Sequence, residues 1–136
     1  MKVTYDVETL VTNLGKHLNL DINPRFEIGL KLVINDIYKM QLEFLEDRIV
    51  ISAQLGEILV SRYRHQVFED CLKANFKSSE FGTLGYNDKE KILLLILNYP
   101  VIPPIESELF YLIDGFIKKM IAWSEAIKSS NTRLLT

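Results

Sequence analysis

Few side chains in this sequence are of types that do chemistry, and their spacing assembles none of the usual sites. His17, His65 and the single cysteine, Cys71, are the candidates for a metal ligand or a nucleophile. A structural or catalytic zinc needs three or four Cys, His or carboxylate ligands at short, repeated spacings. No Cys or His partner stands near either histidine. Cys71 falls on the apolar face of a helical pattern, where a thiol packs as a small hydrophobe rather than ionising for attack. The acidic pairs Glu43 with Glu46 and Asp88 with Glu90 fall in exposed strand and turn sequence and read as solvated charges. Arg62, Arg64 and His65, the densest basic group, read as a solvated helix start. Gly82-Thr83-Leu84-Gly85 has the outline of a Gly-x-x-Gly RNA-clamping loop. It lacks basic neighbours and runs into a strand pattern. There is no Gly-x-Ser-x-Gly elbow, P-loop or dinucleotide fingerprint. No catalytic residue, metal or cofactor is expected.

The elements that would carry any other function are better marked. With 136 residues the chain is the length of one domain. Residues 1–128 are expected to form it, with 129–136 as a loose tail. The net charge is -2 and the pI about 5.7, against the basic face of a nucleic-acid binder. One cysteine allows no intrachain disulfide and suits a reducing cytoplasm. The first residues lack the apolar core of a signal peptide. The longest apolar run, Ile92 to Leu97, is far short of the ~20 residues of a membrane helix. A cytoplasmic protein with no membrane insertion is the expectation.

Val7, Leu10, Val11, Leu14 and Leu18 repeat at helical spacing, with Thr4 as the expected N-cap and Gly15 inside the stripe. Period-two alternation then predicts strands over Phe26–Ile34, Tyr38–Phe44 and Ile49–Ala53, joined by tight turns as an antiparallel meander. Ser61 should cap a second helix, from Arg62 to about Asn75. Gly82–Tyr86 and Ile92–Tyr99 read as two more strands. The last strand is apolar on both faces, so helices should cover one face and a second subunit or a bound partner part of the other. Pro100 and Pro103 stop it, and Pro104 should open a last helix running to about Lys128. The expected fold is α+β, an α-β-β-β-α-β-β-α two-layer sandwich on a twisted antiparallel sheet, and dimeric.

That order, and five local phrases, resemble the class I chaperones of bacterial type III secretion. The phrases are LVTNLGKHLNL from Leu10, ISAQLGEIL from Ile51, CLKANF from Cys71, GTLGYND from Gly82 and FIKKMIAWSEAI from Phe116. Together they span nearly the whole chain. The proline-rich stretch Tyr99–Pro104 and the modest net charge depart from the family pattern.

The resemblance implies a non-enzymatic protein of the bacterial cytoplasm. It would bind the N-terminal segment of a secreted effector or gatekeeper protein, by helix-groove packing and strand addition. It further implies a homodimer, or a heterodimer with a second class I chaperone. Val67, Phe68, Cys71, Leu72 and Tyr86 would line the dimer interface. Leu10, Leu14, Phe26, Ile28 and Leu30 would contribute to the partner groove. The alternative is a regulatory protein that binds a transcription or secretion-control factor.

Overall fold

The structure, a computed structural model, describes residues 5–26, 29–59, 61–103 and 105–136. Three helices and five strands follow the expected order: α1 (Val7–Leu18), β1 (Leu30–Ile34), β2 (Tyr38–Phe44), β3 (Arg48–Glu57), α2 (Arg62–Lys77), β4 (Thr83–Asn87), β5 (Ile92–Pro100) and α3 (Ile105–Lys128). The strands form one antiparallel sheet in the order β1-β2-β3-β5-β4.

Strand alternation gives this sheet a dry face and an open face. Leu32, Met40, Ala53 and Leu95 stand in register across β1, β2, β3 and β5, and all four are buried. Leu42, Ile51, Leu93 and Tyr99 extend the same face, against Leu109, Ile113, Phe116, Met120 and Trp123 of α3. Each large side chain so buried stabilises by roughly 1.5–3 kcal/mol. Lys31, Lys39 and Glu43 point to the opposite, uncovered face. On β5 that face is apolar too, and Ile92, Leu94 and Ile96 are only half-buried there. The helices therefore cover one side of the doubly apolar strand and leave the other side partly open.

Several local expectations are corrected. Asp6, not Thr4, caps α1, and its carboxylate accepts from the Thr9 N–H (3.1 Å) and the Thr9 hydroxyl (2.7 Å). Thr4 lies outside the described residues, as does Pro104, the expected start of α3. β1 begins at Leu30 rather than Phe26. The Phe26 ring instead packs on Phe44 at 5.6 Å, while Ile28 is outside the described residues. β3 runs on past Ala53 to Glu57, through a bulge between Gln54 and Gly56. Ser61 occupies the N-cap position of α2, but its hydroxyl makes no capping bond.

The last eight residues are not loose. Ser130 takes a left-handed conformation (φ 56°). The N–H groups of Ser130 and Asn131 then bond back to the carbonyls of Ile127 and Ala126, closing the end of α3 as a Schellman motif. The chain reverses into a 3-10 turn, Arg133–Leu135, with Thr132 buried against α2.

A candidate protein-docking surface

The two sheet edges end differently. At the β4 edge, α2 lies along the strand and is fastened to it by one side chain. Asn75 Nδ2 donates to the Leu84 carbonyl at 2.9 Å, and the Leu84 N–H donates to Asn75 Oδ1 at 2.9 Å. The carboxamide thus takes the place of a neighbouring strand for that residue. Two further contacts hold the turn between α2 and β4. Lys119 Nζ donates to the Gly82 carbonyl (2.7 Å). The Phe81 ring occupies the space that a Cβ at Gly115 would fill. Burial lowers the Lys119 pKa from its ordinary value.

Beyond Asn75, α2 carries apolar groups that the rest of the chain covers only in part or not at all. Phe68, Leu72 and Phe76 repeat every four residues and therefore share one flank of the helix. Leu72 is 71% exposed and Phe76 94% exposed. Phe68 meets the Tyr86 ring edge-on at 4.7 Å and carries Arg64 over its face at 5.7 Å. Tyr86 donates to the Ile58 carbonyl (3.1 Å). Around the edge, on the open face, a Cβ on Gly85 would meet nothing within 4 Å. Gly85 stands in register with Leu94, and Thr83 with Ile96. Contiguous exposed aromatic and aliphatic surface of this kind is a common feature of protein-contact sites.

The β1 edge carries no comparable fastening. β1 pairs with β2 alone. Among the described residues, no backbone hydrogen bond closes its outer side. Next to its C-terminal end Leu18, Leu20, Ile34 and Ile117, with Asn35, Asp114 and Lys118, line a shallow concavity. Polar contacts between α1 and α3 frame it. Asn13 Nδ2 donates to Glu106 Oε1 at 2.6 Å. His17 Nε2 lies 2.9 Å from both Asp114 oxygens, and its ring stacks on Phe110 at 5.0 Å.

Several residues assigned to these surfaces from sequence belong to the interior instead. Leu10, Leu14 and Leu30 are at most 5% exposed and cannot line an open groove. Of that set Phe26 keeps some surface. Val67 (0%) and Cys71 (6%) are likewise spent on the chain's own core, so Phe68 and Leu72 of α2 and Tyr86 of β4 keep some surface. Burial pushes the Cys71 thiol up to about 12, which leaves it protonated and unreactive at neutral pH. Phe76 and Asn75 were missed. The four-residue spacing from Phe68 could have flagged Phe76, whereas the partner of Asn75 is visible only in three dimensions.

Among the described residues, no group of three His, Cys, Asp or Glu side chains is arranged to hold a metal ion. No helix among them is long and apolar enough to cross a membrane.

No protein-family model and no curated protein sequence matches the chain. Solved structures do. A chain of the ExsC-ExsE complex matches with a TM-score of 0.70 at 14% identity, covering 92% of this chain and 96% of its own. A chain of the HopA1-SchA chaperone-effector complex matches with 0.65 at 16% identity, covering 88% and 93%. A chain from the Yersinia pestis type III secretion chaperone SycH in complex with a stable fragment of YscM2 matches with 0.64 at 16% identity, covering 87% and 99%. At such identities the likeness is one of architecture, and it extends over almost the whole of each chain. The protein has the fold of the type III secretion chaperones.

Proposed function

We propose that this chain is a type III secretion chaperone. It holds an N-terminal segment of a secreted effector or gatekeeper protein soluble and competent for export. The observation that carries this reading is the pairing of that fold with two uncompleted surfaces, the unpaired β1 edge and the exposed Phe68–Leu72–Phe76 stripe. An extended segment adds to β1 by main-chain hydrogen bonds, which tolerate many sequences, and sets apolar side chains in the concavity at Leu18, Leu20, Ile34 and Ile117. The α2 stripe, with Tyr86 and the open ground at Gly85, pairs two such subunits. The protein works by binding, with no catalysis and no cofactor, in the bacterial cytoplasm.

The test is the native mass of the tagged protein drawn gently from its own cells. Two copies carrying one secreted protein are expected. One copy joined to a different small protein of the same fold would make the pair a heterodimer. A complex with transcription machinery and no secreted protein would replace this reading with a regulatory one. In the purified protein, Leu72→Asp should leave the fold intact and convert the pair to single subunits in sedimentation, because it buries an unpaired charge at the contact.

A further inference from the structure

We infer that residues 129–136 form a strap that fixes α2, and through it the pairing surface. This inference rests on the pairing role proposed above for α2. Asp70 lies in the middle of α2 and is completely buried. Among the described residues it has no Lys, Arg or His partner. Both its oxygens are instead satisfied by neutral donors. Gln66 Nε2 donates to Oδ1 at 2.9 Å, and the Thr132 hydroxyl donates to Oδ2 at 2.6 Å. The next residue of the tail closes the loop, since Arg133 Nη2 donates to Gln66 Oε1 at 3.0 Å. Two consecutive tail residues therefore grip Gln66 and Asp70, which are one turn apart on α2. Leu135 packs against the core beside them.

The position of this grip gives it consequence. Tyr63, Gln66 and Asp70 form one flank of α2, and Phe68, Leu72 and Phe76 form the other. The Tyr63 hydroxyl reaches the Ala126 carbonyl at 3.5 Å, where the strap leaves α3. Asn75 holds the helix at β4, and the strap holds it at the far side. Without the strap, α2 is held by Asn75 and by its buried face alone, and the direction of the stripe is less firmly fixed. A buried carboxylate is also a poor choice for stability alone, because it depends on this hydroxyl to stay satisfied.

Thr132→Val removes the hydroxyl at nearly constant volume, and Thr132→Ser keeps it. In the full-length protein, hydrogen exchange of the α2 amides should accelerate about tenfold in Thr132→Val, with β1–β3 unchanged and Thr132→Ser close to wild type. The subunit-pair dissociation constant should rise by about the same factor. Unchanged α2 exchange in Thr132→Val would overturn the strap. So would equal acceleration in α2 and the β1–β3 meander, which would make the contact one of general stability. If the wild-type protein proves to be a single subunit, the pairing role fails on its own, and the exchange comparison still decides whether the tail restrains α2.

Discussion

The two ends of the sheet are built to opposite specifications. At the β4 end a helix lies along the strand and fastens it by a side-chain carboxamide, so the backbone of Leu84 is already satisfied. That end offers side chains: Leu72 and Phe76, with the half-buried Phe68 beside them. At the β1 end the side chains of Leu30, Leu32 and Ile34 are buried, and the strand itself offers chiefly backbone, beside the shallow concavity at Leu18, Leu20 and Ile117. Recognition through backbone tolerates sequence change in the partner, whereas recognition through a fixed apolar stripe does not. The two ends thus offer different chemistry, side chains at one and chiefly main chain at the other. Under the function proposed above, the β4 end pairs with one unchanging partner and the β1 end takes cargo whose sequence varies.

This contrast can be broken at several points. Leu14 on α1 is 1% exposed; Leu14→Ala should cost about 3 kcal/mol in urea unfolding. A cost below ~1 kcal/mol would mean that α1 is not held as described and that Leu14 is open to a partner after all. Asn75→Ala should cost about 2 kcal/mol, because it strands the buried polar groups of Leu84. It should also speed exchange of the Leu84 amide selectively. If that amide exchanged no faster, the β4 end would be closed by something other than the carboxamide.

Gly85→Ala tests the open face beside β4. Its Cβ meets nothing in the single chain, and glycine weakens a strand, so stability should rise by ~0.5 kcal/mol. Subunit pairing should weaken at the same time, and a gain in both would place the contact elsewhere. The smallest effect is expected at Asp6, whose carboxyl is held below its ordinary pKa first by the Thr9 hydroxyl and then by the Thr9 N–H. A carboxyl with a depressed folded pKa contributes stability above its unfolded pKa and loses it as pH falls through the folded value. Asp6→Ala should therefore destabilise at pH 7, and its cost should shrink as the pH falls through the folded pKa of the carboxyl. A cost that stayed constant across an acid titration would mean that the cap does not act through its charge.

Much of the fold was legible because the signals are local. Alternation in Tyr38–Phe44 and in Ile92–Tyr99 reports two faces directly, and the double apolarity of β5 marks a face that the helices leave partly open. The site was less legible because apolar periodicity says that a residue is covered without saying by what. Leu10 and Leu14 repeat as groove residues would, yet both are buried in the core. Val67 and Phe68 are neighbours in sequence, yet a rotation of ~100° between successive residues on the helix separates interior from surface. The tail was misread for a related reason. Ser130 is a weaker marker of a left-handed turn than glycine would be, and the grip of Thr132 on Asp70 spans 62 residues.

The fastening of α1 to α3 has a consequence for how the protein is made. Asn13 waits for Glu106, which follows 93 residues later. At about 5–20 residues per second of synthesis, that is a delay of roughly 5–20 s. During it the apolar face of α1 has emerged from the ribosome without α3 to complete its cover. The nascent chain is thus itself an aggregation-prone client until its last helix is complete, and slow decoding between α1 and α3 would lengthen that exposure.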